Sequence, residues 1–91
     1  MKYEIVPSNQ FKKDLKLAQK RGYDLNKIKR VITSLANGEA LDPQYRDHPL
    51  TGNYIGYREC HIQPDWLLVY RTDGGQLLLL LVRTGTHSDL F

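Results

Sequence analysis

Cysteine, methionine and tryptophan each occur once in 91 residues, lysine is absent after residue 29, and the longest aliphatic run is the six residues LLLLLV at 77–82. A lone cysteine cannot form an intramolecular disulfide. A six-residue run is far too short to cross a bilayer and reads as a buried strand. No Gly-rich loop follows the first apolar segment, and the chain has little more length than half of a dinucleotide-binding fold requires. The opening MKYEIVPSNQFKKD has no uninterrupted apolar centre of the kind a signal peptide carries. A reducing, cytoplasmic setting is therefore expected. What is present is a composition of 41% hydrophobic and 25% charged residues. That suffices for one core, and one domain over residues 1–91 is expected, with a folded surface of about 5,500 Å².

The formal charge of +3 conceals a gradient. The first thirty residues hold nine basic and three acidic groups, whereas residues 31–60 and 61–91 are slightly acidic. Lys12, Lys13, Lys16, Lys20, Arg21, Lys27, Lys29 and Arg30 make a basic surface that suits RNA, DNA or an acidic protein, and equally suits a solvated helix face. Arg83 differs, since it closes the apolar run and opens RTGTH. A planar cation at that strand end can clamp phosphate or pin a carboxylate.

Tyr3, Ile5 and Val6 predict a short strand, with Pro7 and Ser8 as its exit and a helix N-cap. Phe11, Leu15 and Ala18 recur at helical spacing until Gly22, and Leu25, Ile28, Val31, Ile32 and Leu35 repeat the pattern until Asn37-Gly38. After a long polar connector at 39–53, YIGYRECH, WLLVYR and QLLLLLVR read as three strands. Gln63-Pro64-Asp65 and Thr72-Asp73-Gly74-Gly75 are their turns, with glycine supplying positive φ in the second. The expectation is an α+β domain with a four-stranded, mainly antiparallel sheet and two N-terminal helices packed on one face.

His48, His61 and His87 all fall in loops or at strand ends, where an imidazole of reference pKa about 6.5 can accept or donate a proton. Asp65 and Arg83 complete the side chains needed for acid–base chemistry on a phosphoryl group. Trp66 and Phe91 offer flat surfaces for a base, although Trp66 also begins an apolar strand and suits the core. No HExxH or paired CxxC is present, and Cys60 and His61 would point to opposite faces of a strand, so no metal site is expected. None of Ser8, Ser34 and Ser88 lies in a nucleophile elbow. RNA cleavage needs no protein nucleophile, because the substrate's 2′-hydroxyl can attack its own phosphate once a base, a cation and an acid are placed around it.

The segment DHPLxGxxxGYRExHIxPDWLLVY at 47–70 and the ending RTGTHSDLF resemble the YafQ branch of the RelE-like bacterial toxins, and the likeness extends over nearly the whole chain. The resemblance implies a toxin of a type II toxin–antitoxin pair that enters the ribosomal A site and cuts translated mRNA without a cofactor. It implies that His48, His61, Asp65 and His87 are acid–base residues and that Arg83 stabilises the phosphate. Trp66 and Phe91 would support or position substrate. It gives His87 as the preferred acid, Asp65 or His61 as the base, and His48 as a second shuttle or transition-state stabiliser. The basic residues of the first two helices would hold ribosomal RNA. The implied partners are a cognate antitoxin, the ribosome, mRNA and, through the antitoxin, promoter DNA, with no membrane. A non-catalytic RNA-binding or antitoxin-bound module is the alternative.

Overall fold

The computed structural model describes residues 1–91. Strand β1 (Glu4–Pro7) leads directly into helix α1 (Asn9–Lys20), because the Ser8 hydroxyl accepts from the Phe11 amide and caps the helix. Helix α2 (Leu25–Ala36) begins at Asp24, whose carboxylate accepts from the Asn26 amide. Gly22 and Gly38 follow the two helices at φ of 82° and 77°, the left-handed exits the sequence predicts.

The connector carries local structure of its own. It contains two short 3₁₀ turns, Pro43–Tyr45 and Gly52–Tyr54, and the two-residue strand β2 (His48–Pro49). Strands β3 (Arg58–Gln63), β4 (Trp66–Asp73) and β5 (Leu78–Gly85) form an antiparallel meander, and a last helical turn, α3 (His87–Leu90), ends the chain. The sheet therefore has five strands rather than four, in the order β1-β5-β4-β3-β2. A two-residue strand is too short to show alternation in sequence, and its proline is tolerated because it lies at the sheet edge. The third strand starts at Arg58, not at Tyr54, since residues 52–57 are taken by the turn that leads into it.

Strand β1 pairs parallel to β5 at the opposite edge, Glu4 to Leu78 through Pro7 to Leu81. A bulge in β5 sets Arg83 opposite Val69 and Leu81 opposite Tyr70, which leaves Val82 as the extra residue. The β4–β5 turn is also built differently from expectation. Asp73 accepts from the amides of Gly75 and Gln76, and the residue at positive φ is Leu77, at 55°, rather than either glycine.

Both long helices cover one sheet face. Phe11, Ala18, Ile28, Val31 and Leu35 pack there on Cys60, Ile62, Leu68, Tyr70, Leu79 and Leu81. The other face carries a smaller cluster, Leu67, Val69 and Leu90 with Leu50, Tyr57 and Val82 around it. The folded surface, 5760 Å², agrees with the value expected from chain length.

Candidate active site

The site lies on the sheet face away from the helices. Because strand side chains alternate, Cys60 and Ile62 enter the helix-covered core while Glu59 and His61 face the other way. Register then lines the site up across four strands. His48 stands opposite Glu59, Glu59 opposite Val69, and Val69 opposite Arg83. In the next row His61 stands opposite Leu67 and Leu67 opposite Gly85. Strand spacing separates the backbones of Glu59 and Arg83 by about 10 Å.

Three imidazoles converge. The rings of His48 and His61 are 6.2 Å apart and those of His61 and His87 are 5.7 Å apart. Each ring has an acceptor at Nδ1: the Arg46 carbonyl at 2.6 Å for His48, the Pro64 carbonyl at 3.3 Å for His61, and the Asp65 carboxylate at 2.7 Å for His87. Carbonyls and carboxylates accept only, so these contacts assign the proton to Nδ1 and leave each Nε2 for chemistry. Asp65 also accepts the backbone amide of His87 at 3.0 Å, and these two bonds, the amide's first, hold its carboxyl below the usual range. His61 and Asp65 flank the β3–β4 turn, and the side-chain partner of Asp65 is His87.

Glu59 is the functional candidate that the sequence reading missed. Its side chain is only 8% exposed, and its oxygens lie 3.6 Å from His48 Nε2 and 3.8 Å from His61 Nε2, ion-pair rather than hydrogen-bond range. The alternation of Tyr57, Glu59 and His61 along one strand was the available signal. Ligand atoms of Glu59, His61 and His87 also lie within 4.8 Å of one another, so this trio could hold a metal ion, contrary to expectation.

His48 is positioned by its loop. Arg46 ends the first 3₁₀ turn in the left-handed region at φ 49°, and Asp47 is held by the Tyr70 hydroxyl at 2.6 Å and Arg58 Nε at 3.3 Å. Burial, and then the bond to Asp47, push the Tyr70 hydroxyl well above its ordinary pKa.

Arg83 is held too. Its Nε and Nη2 donate to the two oxygens of Asp14 at 2.7 and 3.1 Å, so it pins a carboxylate as one of its two predicted roles required. Trp66 needs correction as a substrate contact. It is 1% exposed, packs against Tyr23 with the rings tilted by 54°, and donates its indole N–H to the Thr84 hydroxyl at 2.9 Å, which leaves no face for a base. Phe91 is exposed and packs edge-on with Tyr54, their ring centroids 5.3 Å apart. Cys60 is fully buried, and burial pushes its thiol pKa far up.

The basic residues sit on the opposite side. Lys12, Lys13, Lys16, Lys20, Lys27, Lys29 and Arg30 are exposed on α1 and α2, and Lys29 and Arg30 border a shallow concavity with Asn26 and Thr33. Arg21 is the exception, since it forms an ion pair with Asp89 of α3 at 2.6 Å.

A five-stranded sheet with two helices on one face and an acid–base cluster on the other defines a small RelE-like toxin domain. The sequence model of the family described as bacterial toxin of type II toxin–antitoxin system, YafQ, matches residues 3–91, and the chain belongs to that family. The mRNA interferase toxin YafQ of Escherichia coli K12 is 50% identical over 90 residues, covering 97% of this chain and 95% of the relative. The toxin in the E. coli DinJ–YafQ complex superposes with a TM-score of 0.89 at 48% identity over 98% of both chains. A metal-bound toxin from Helicobacter pylori superposes with a TM-score of 0.93 at 46% identity, over 98% of this chain and 99% of that one.

Proposed function

We propose that this protein is an endoribonuclease toxin that cleaves translated mRNA in the ribosomal A site, in the cytoplasm, and is neutralised by a cognate antitoxin. One observation carries the reading: three imidazoles with assigned tautomers gather on one face of the sheet, and the row of His48 and Glu59 runs across β4 to Arg83. Family membership and the names of the relatives point the same way. The toxin itself need not read DNA, and promoter DNA would be reached only through the antitoxin.

His61, with Nδ1–H on Pro64, presents Nε2 as the base that takes the proton from the RNA 2′-hydroxyl. The freed oxygen attacks the adjacent phosphorus, and the bond to the leaving 5′-oxygen breaks as His87, in its imidazolium form with Nδ1–H on Asp65, delivers its Nε2 proton to it. Asp65, already engaged twice by His87 and weakened as a base, orients that acid rather than serving as the base itself. Arg83 offsets the charge that builds on the phosphate oxygens, and His48 with Glu59 supplies the second shuttle. Phe91, beside Tyr54, positions a base, and Trp66 acts from beneath through Thr84. The reaction needs no metal or other cofactor.

The test is cleavage of mRNA on programmed ribosomes. His61→Ala, His87→Ala and Arg83→Ala should each slow cutting by at least about 10²-fold while circular dichroism shows a folded chain. Unchanged cutting by all three would overturn these roles, and a parent chain that cuts no more than the toxin-free background would leave a non-catalytic RNA-binding or antitoxin-bound module. The Glu59–His61–His87 trio and the metal-bound Helicobacter relative favour one further reading, a transition metal seated on these ligands. Such an ion would occupy the nitrogen lone pairs the proposed chemistry uses, so a chelator should preserve or raise activity. Loss of activity on chelation, restored by metal, would overturn the metal-free reaction.

A further inference from the structure

Asp14 is an unusual residue for its place. It sits in the interior of the lysine-rich helix α1, where aspartate is a poor helix former, and its side chain turns inward to 8% exposure. Four donors converge on it: Arg83 Nε at 2.7 Å, Arg83 Nη2 at 3.1 Å, Gln10 Nε2 at 3.1 Å and the Thr84 amide at 3.2 Å. Burial alone would raise its pKa, but these bonds, led by that of Arg83, hold it below the usual carboxylate range.

The reason for this convergence is topological. Strand β1 covers the outer edge of β5 only as far as Leu81, and Ser8 closes the pairing through its amide to the Leu81 carbonyl and its hydroxyl to the Val82 carbonyl. Beyond that point β5 has no outer neighbour. The bulge at Val82 falls there, Arg83 can reach around the bare edge, and Asp14 takes both its guanidinium and the next backbone amide. The fork fixes the guanidinium plane through two nitrogens and leaves Nη1 for another acceptor.

We propose that Asp14 is a positioning residue for catalysis: it holds the Arg83 guanidinium rigid at the open end of β5 so that its remaining N–H edge meets the scissile phosphate. This rests on the reading that Arg83 contacts the phosphate. Because Asp14 neutralises Arg83, the pair adds little to attraction for RNA at a distance. Its contribution falls on the reacting phosphate, where extra charge develops and geometry is strict.

The experiment is a double-mutant cycle on ribosome-bound mRNA, with the cleavage rate constant and the half-saturating ribosome concentration measured separately. Asp14→Asn should lower the rate constant about 10–100-fold, with half-saturation within about twofold of the parent. In an Arg83→Ala background the same change should cost nothing more. Asp14→Glu keeps the charge but displaces it by one methylene. It should slow cleavage without lowering the thermal midpoint, which serves if Asp14→Asn unfolds. A normal rate for both Asp14 variants beside a slow Arg83→Ala would overturn the inference and leave the function intact. An equal loss from Asp14→Asn in both backgrounds would also overturn it, by showing a purely structural role. A normal rate for Arg83→Ala would instead sink the phosphate reading of Arg83, and this inference with it.

Discussion

At the scale of the residue, each histidine of the site depends on a neighbour that fixes its Nδ1 proton, and only one of those neighbours is a side chain that mutation can remove. Asp65→Asn keeps the shape but removes the negative charge beside His87 Nδ1, so the doubly protonated ring that donates from Nε2 loses its counter-ion. The expected result is cleavage slowed by about 10²-fold with ribosome binding retained, and equal loss of both would count against this role. Residue type and loop position singled out His48, His61 and His87, and the family resemblance supplied their separate roles. Their convergence depends on pairings such as His48 with Glu59, which residue type and loop position alone do not fix. Glu59 was missed because a carboxylate beside Arg58 in a strand reads as an exposed charge, and its burial between His48 and His61 follows from cross-strand register. Asp14 was less accessible still, since the residue that explains it lies 69 positions away.

At the scale of the element, both helices and their caps could be read directly, because Ser8, Asp24, Gly22 and Gly38 act within a few residues of themselves. Elements set by distant contacts could not. Helix α3 is a single turn, held by the Thr86–Asp89 capping box and by Arg21 from α1. The bond from Arg21, then the Thr86 amide, hold the Asp89 carboxyl far below its ordinary pKa, and His87 lowers that of Asp65. A folded pKa below the unfolded one stabilises above the unfolded value of about 3.9 and loses that stabilisation as pH falls through the folded value. Thermal midpoints should therefore drop as pH falls below about 4, and Asp89→Asn should flatten that drop. An unchanged slope in the variant would contradict the assignment. The β4–β5 turn offers a gain instead. Leu77 adopts φ 55° while half-exposed, so Leu77→Gly should raise stability by about 0.5–1 kcal/mol in urea denaturation. A loss would mean that the leucine's packing outweighs its backbone strain.

At the scale of the whole molecule, the sheet separates two electrostatic tasks. The helices place seven exposed, unpaired cations on one side, the other side carries imidazoles and carboxylates, and the neutralised Arg83 sits at the sheet edge between them. Under the proposed function, the lysine face would grip the ribosome while mRNA is presented to the opposite face. On this arrangement, charge and chemistry separate under mutation. Reversing Lys12, Lys16, Lys20 and Lys29 to Glu should weaken ribosome binding and lower the salt slope by about one for each lysine that contacts phosphate. Cleavage at saturating ribosome concentration should stay near the parent rate, whereas His87→Ala should do the reverse. If the quadruple variant bound ribosomes as the parent does, with the same salt slope, the lysines would be a solvated face and docking would have to use the histidine side of the sheet.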